Sequence, residues 1–141
     1  MRIPEDVVVT TYRVRVGYID TDRAQVMHHA SYLRYLEFAR VEYLRERGID
    51  YRRFELEGKL QLPVVGVNVR YHKPALYDDA LEIKTWIGVV NRAKLRFDSC
   101  FYREGELLTS AEITLACVRV VEGRLCSMPG FVIELGPPTT K

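Results

Sequence analysis

The chain has 141 residues, of which 48% are hydrophobic and 28% charged, with a formal net charge of +2. Length and apolar content suit one globular domain with a real core. The near-balanced charge gives no case for a dedicated nucleic-acid binder, whose basic residues should cluster on one face. No apolar run approaches the roughly 20 residues needed to span a bilayer.

Residues 1 to 10 read as a loose arm. From Tyr12 to Ile19 the residues alternate, with Tyr12, Val14, Val16 and Tyr18 facing one way and Arg13 and Arg15 the other. That period of two marks a half-buried strand. Asp20 and Asp22 follow where the strand gives way to a loop. Tyr32, Leu36, Ala39 and Tyr43, with Leu33, Tyr35 and Leu44 beside them, then repeat at helical spacing. Ser31 is the expected N-cap of this long helix and Gly48 its C′ residue.

Residues 49 to 58 are polar and irregular, with room for one extra helical turn. Alternation returns over residues 61 to 73, where Val65, Val67, Val69 and Tyr71 share a face, and Pro74 and the Tyr77-Asp78-Asp79 turn end the strand. Residues 80 to 90 alternate through Leu81, Ile83, Thr85, Ile87 and Val89. Asn91-Arg92 is a turn, Leu95 to Phe101 another strand, and Glu104-Gly105 a tight hairpin. Leu107 to Val120 reads as the longest strand, with Ile113, Leu115 and Cys117 inward. After Glu122-Gly123, residues Pro129, Pro137 and Pro138 argue against further regular structure.

Strand, long helix, then four strands on short connections predict an antiparallel sheet packed on one helix, an α+β arrangement. With no repeat, linker or low-complexity stretch, residues 1 to 141 are read as a single domain. The three cysteines lack metal-ligand spacing, and nothing resembles a signal peptide. A reducing cytoplasm is the expected compartment.

Asp20 and Asp22 share strand parity. An Asp-Thr-Asp run can simply cap the backbone of a loop. Asp22, however, stands shortly before a helix start, where free amides and the helix dipole favour an anion. The same amides can polarise a carbonyl, and an acid beside them can attack an acyl carbon or activate water. His28 and His29 adjoin this position, either as capping residues or as part of the site. They are adjacent rather than at helical spacing and His72 is distant, so a metal site is not expected. Neither a Gly-rich phosphate loop nor a Gly-x-Ser-x-Gly elbow occurs. Arg92, Lys94 and Arg96 surround a turn, either as a solvated strand edge or as a seat for phosphates.

The run Val16-Gly17-Tyr18-Ile19-Asp20-Thr21-Asp22, then Val26, His29, Tyr32, Tyr35, Glu37, Ala39-Arg40, Glu42 and Gly48, resembles the hotdog-fold acyl-CoA thioesterases. The branch it resembles is the YbgC and 4-hydroxybenzoyl-CoA thioesterase group. Arg70-Tyr71, Pro74-Ala75, Gly123-Arg124 and Pro129 extend the likeness over nearly the whole chain. The resemblance implies a hotdog fold, a sheet extended by a second copy in a homodimer or homotetramer, and active sites at the subunit interface. It implies acyl-CoA hydrolysis with no cofactor, coenzyme A being part of the substrate. It assigns the catalytic acid to Asp22 and the oxyanion donor to the amide of about His29. The His29 side chain would shape the site, and Glu37 and Arg40 would be structural. Gln25, His28 and Tyr32 are the expected substrate contacts at the loop, with Arg92 and Lys94 as phosphate contacts.

The family pattern has Gly three positions after the acid, where this chain has Gln25. That departure, bearing on loop geometry, keeps open a non-catalytic acyl-CoA binding module. A hotdog dehydratase with His29 as base is a further alternative.

Overall fold

In the computed structural model, which describes residues 1–137, strand β1 (Thr10–Arg15) leaves the N-terminal arm and pairs antiparallel with a later strand. The strand is shorter than its alternation suggests. Tyr18–Asp20 forms a single 3-10 turn, leaving Tyr18 69% and Ile19 91% exposed. The bend brings Asp20 to Arg34 and Tyr35 of the helix that follows.

Helix α1 (Ser31–Glu46) buries Tyr32, Tyr35, Leu36, Ala39, Tyr43 and Leu44, the expected stripe without Leu33, which stays exposed. Each large apolar side chain so buried contributes about 1.5–3 kcal/mol. Ser31 is the first helical residue rather than the N-cap; Ala30 holds that position with no side-chain cap bond. The C-terminal end matches expectation. Gly48 has φ +80° and donates to Arg45, and Ile49 donates to Leu44, the paired bonds of a Schellman motif.

Residues 49 to 58 are more regular than expected. Helix α2 (Tyr51–Gly58) is capped by Asp50, whose carboxylate accepts from the amides of Arg52 and Arg53, and it buries Phe54. A short strand β2 (Leu60–Gln61) leads into β3 (Val64–Tyr71). Strands β4 (Ala80–Val90), β5 (Leu95–Arg103) and β6 (Glu106–Leu115) complete an antiparallel sheet of order β1-β4-β5-β6-β3. A bulge between Ile87 and Val89 shifts the parity, so that Val90, not Val89, is buried. Glu104 and Gly105 both have positive φ, as a tight hairpin turn requires.

The longest strand is β4. The run from Leu107 to Val120 breaks at Ala116, whose amide bonds to Pro63. The chain then enters a second sheet formed by β2, β7 (Val118–Arg119) and β8 (Arg124–Leu125). A one-turn helix, α3 (Gly130–Ile133), follows Pro129, so regular structure does continue there. Pro138 lies outside the described residues.

Inward residues of the large sheet meet α1 directly. Tyr43 packs edge-on to Phe97 and Tyr32 lies 5.3 Å from Phe101, ring centre to ring centre. Strand β3 is different. It sits at the sheet edge, and Val65 and Val67 are 63% and 52% exposed. Val67 alternates with Val69 and Tyr71 as expected, but a bulge between Val64 and Gly66 leaves Val65 unpaired and breaks its parity with them. Among the described residues no helix is long and apolar enough to cross a membrane.

Candidate active site

The loop between β1 and α1 separates its two acids sharply. Asp20 is buried, and its carboxylate accepts the Tyr35 phenol at 2.7 Å and the Arg34 guanidinium. Its backbone carbonyl accepts the His28 amide at 2.7 Å. Burial pulls this carboxyl upward. Hydrogen bonds from Tyr35, Arg34 and Ser31 and the Arg34 charge outweigh it, leaving Asp20 below its ordinary value. Asp20 therefore clips the loop to the first turns of α1.

Asp22 is exposed, and one carboxylate oxygen accepts the amides of Ala24 at 2.9 Å and Val26 at 3.2 Å. Its backbone amide and carbonyl pair with Val26 and Gln25. This departs from the expectation that the acid would lie on the amides at the start of α1. Its fixed donors belong to its own loop, because closing a loop of four residues costs less entropy than reaching the helix.

Gln25 has φ +63° and its carbonyl accepts the Tyr77 amide. A non-glycine residue in that region is strained by roughly 1–2 kcal/mol. The loop thus keeps the backbone shape that glycine favours, at that cost. The Gln25 side chain is not among the residues lining the groove described next.

A groove of about 350 Å³ lies beside this loop. Asp22, Val26, Met27, His28 and His29 form one wall; Tyr71, His72, Lys73 and Pro74, at the end of β3, form the other. Tyr32 is the floor, buried at 2% exposure, with its phenol accepting the Ala75 amide. His28 and His29 stack at 4.5 Å, and His28 Nδ1 accepts the Ala30 amide, a bond within the loop just before the first helical residue rather than a helix cap.

The His28 carbonyl accepts the Ser31 amide, facing into the helix. A trans peptide points its N–H the opposite way. The His29 N–H is therefore directed away from α1, and among the described residues it has no backbone acceptor outside the helices and strands. Tyr71 donates its phenol to the His29 carbonyl at 3.0 Å, bridging the two walls. Burial pushes that phenol above its ordinary value, with a further contribution from Tyr32.

The structure thus gathers Asp22, His28, His29 and Tyr32, and adds Tyr71, His72 and Lys73, which residue chemistry alone did not single out. The signal for Tyr71 was its place in the Arg70-Tyr71 and Pro74-Ala75 match. Arg92 and Lys94 are not part of this groove. They sit in the β4–β5 turn, where Leu95 pairs with Leu115 and Leu115 with Val64, seven residues along β3 from Tyr71. That is roughly 20 Å at strand rise. Arg96 is engaged by Asp98 at 2.8 and 2.9 Å. Glu37 is exposed and Arg40 half-buried, both lining a cavity further along α1. Among the described residues, no cluster of three His, Cys, Asp or Glu is placed to hold a metal ion.

A family model described as the thioesterase-like superfamily matches residues 14–135. Acyl-CoA thioester hydrolase YbgC of Escherichia coli O6:H1 is 34% identical over 121 residues, covering 85% of this chain and 90% of that protein. The crystal structure of protein TT1821 from Thermus thermophilus superposes with a TM-score of 0.83 at 30% identity, covering 89% and 95% of the two chains. DHNA-CoA thioesterase from Staphylococcus aureus superposes with a TM-score of 0.81 at 26% identity, covering 84% and 80%.

Proposed function

This chain belongs to the thioesterase-like superfamily and is a thioester hydrolase, and on that premise we propose that it cleaves an acyl-CoA thioester in the groove at the start of α1. The observation that carries this reading is that Asp22 and His29 line one groove at the start of α1. It is supported by the His28 carbonyl turning into the helix, which leaves the His29 N–H directed away from it.

The thioester carbonyl oxygen would take the His29 N–H. One such donor typically contributes 10²–10³ in rate by stabilising the developing oxyanion. Asp22 supplies the reacting carboxylate. With one oxygen held by Ala24 and Val26, the other is free to add to the acyl carbon or to take a proton from the attacking water. The carbon–sulfur bond breaks, and the coenzyme A thiolate leaves and is protonated. Where Asp22 has added to the acyl carbon, a water then hydrolyses the resulting anhydride, releasing the free acid and restoring the carboxylate. His28 and the His29 ring shape the entrance, and Tyr32 backs the acyl group. A carboxylate and an amide suffice for these steps, so no cofactor is invoked. Gln25 holds the left-handed angle of the loop, so its presence in place of glycine supports a working loop rather than a lost one.

Two copies would join along β3. The reading is supported by the exposed Val65 and Val67 on that edge strand, since unpaired edges are normally covered. The groove wall at Tyr71 to Pro74 adjoins this edge, so the partner would help enclose the acyl group, and Arg92 and Lys94 would contact phosphates only across such an assembly. The three free thiols fit a reducing cytoplasm.

Asp22→Asn tests the assignment. Asparagine keeps the oxygen that accepts from Ala24 and Val26, so the fold should survive while acyl-CoA turnover, read by thiol release, falls at least about 10²-fold. Turnover equal to the parent would remove Asp22 from the mechanism.

A further inference from the structure

Cys117 and Cys126 face each other just beyond the paired residues of β7 and β8. That hairpin pairs Val118 with Leu125 and Arg119 with Arg124. One step before it, the Cys126 amide donates to the Cys117 carbonyl at 2.9 Å, which keeps the register. The two sulfur atoms lie 3.2 Å apart, and both thiols are free.

Directly opposed residues of antiparallel strands have Cα atoms about 4.5–5.5 Å apart, inside the window of about 4.4–6.8 Å that a disulfide spans. Closing the sulfurs to a bond of about 2.05 Å therefore needs a change in side-chain torsions, not in the backbone. The two thiols also differ in access. Cys117 is 1% exposed, whereas Cys126 is half-buried.

We propose that Cys117 and Cys126 form a reversible dithiol–disulfide site, closed by a small hydroperoxide and reopened by a dithiol reductant. Cys126, the accessible sulfur, attacks one oxygen of hydrogen peroxide as its thiolate. The O–O bond breaks, Cys126 becomes a sulfenic acid, and the departing hydroxide takes the thiol proton and leaves as water. The Cys117 sulfur then attacks the Cys126 sulfur, and the sulfenic oxygen leaves as a second water with the Cys117 proton. Two thiols and one peroxide give one disulfide and two waters; the sulfurs lose two electrons and the peroxide gains them.

The order of events follows from the surroundings. Cys117, at 1% exposure, is closed to peroxide, whereas Cys126 is half-buried. Burial, with the hydrogen bond and charge of Cys126, also holds the Cys117 thiol above its ordinary value, so Cys117 acts second, as the resolving thiol. Cys100 is fully buried in β5 and stays outside the reaction. The site braces the small sheet where Val118 pairs with Gln61. It lies at the far end of β6 from Thr109, the partner of Tyr71 at the groove, so it does not depend on the hydrolytic reading.

Peptide mapping tests the proposal. The full chain, first reduced, is treated with stoichiometric hydrogen peroxide, denatured and alkylated. Alkylatable thiols should fall from three to one, with a Cys117–Cys126 linked peptide that dithiothreitol abolishes. Cys126→Ser and Cys117→Ala should each abolish the link, and Cys100→Ser should leave it. Because a Cys117 variant can fail to fold, the parent map is decisive alone. Three thiols remaining, a sulfinic acid on Cys126 with no link, or a link joining two chains would each overturn the proposal.

Discussion

Tyr71, at the end of edge strand β3, donates its phenol to the backbone carbonyl of His29, just before α1. Forty-two residues of chain separate them, and the bond fixes one wall of the groove against the other. Its ring also packs edge-on to Tyr32 at 5.0 Å, so the phenol and the ring have separable roles.

Tyr71→Phe should separate them. The ring contact stays and the hydrogen bond goes, costing about 0.5–1.5 kcal/mol of stability. The His29 peptide then loses a restraint, and thioester turnover should fall several-fold while the melting temperature drops by a few degrees. A thermal melt paired with steady-state kinetics checks this; unchanged kcat would show that the bond is structural only.

Gln25→Gly should stabilise the chain. Glycine relieves left-handed strain of roughly 1–2 kcal/mol but gives back about 0.5–1 kcal/mol as unfolded-state freedom, so a gain of up to about 1.5 kcal/mol is expected. Gln25→Val, whose branched side chain resists positive φ, should go the other way. Urea unfolding of the three proteins orders them; a Gly variant less stable than the parent would contradict the backbone reading.

Asp20 should make the fold acid-sensitive. Its folded-state value lies below the ordinary 3.8, so the carboxylate adds stability that is fully present above the unfolded value. That stability is lost as pH falls through the folded one. Asp20→Asn should cost about 1–2 kcal/mol at neutral pH, discounted because Arg34 is half-exposed. It should also flatten the melting curve against pH below about 4. Parallel curves for parent and variant would show that Asp20 contributes nothing to acid unfolding.

Val67→Arg probes the β3 edge. A charge on this exposed apolar strip should leave one copy folded but prevent pairing, which light scattering reads as a halved mass. Thiol release should fall with it if the partner encloses the groove. An assembled, fully active variant would remove β3 as the joining edge.

The elements that could be read directly are those encoded by near neighbours. The stripe from Tyr32 to Tyr43 repeats every three or four residues, Gly48 marks the helix end, and Glu104-Gly105 marks a turn, all from local backbone preference. Helix α2 escaped because its one buried residue, Phe54, sits among charges. Its signal was Asp50, placed to cap the amides of Arg52 and Arg53. The break at Ala116 had no signal in its own neighbourhood, since residues on both sides favour extended backbone. The Ala116 amide still donates to Pro63, but Pro63 has no N–H with which to carry the pairing further.

For the site, the sequence by itself determined which groups were available: two acids, two histidines and a tyrosine before or within one helix. It also marked residue 25 as the place where the backbone had to turn. Only the tertiary structure decided that Asp20 is the buried acid and Asp22 the exposed one. That choice is made by Tyr35 and Arg34, one turn inside α1, and by the walls that β3 brings from more than forty residues away. Adjacent residues constrain each other through backbone torsion. Burial and charge are set by whatever packs alongside, and spacing along the chain carries no record of it.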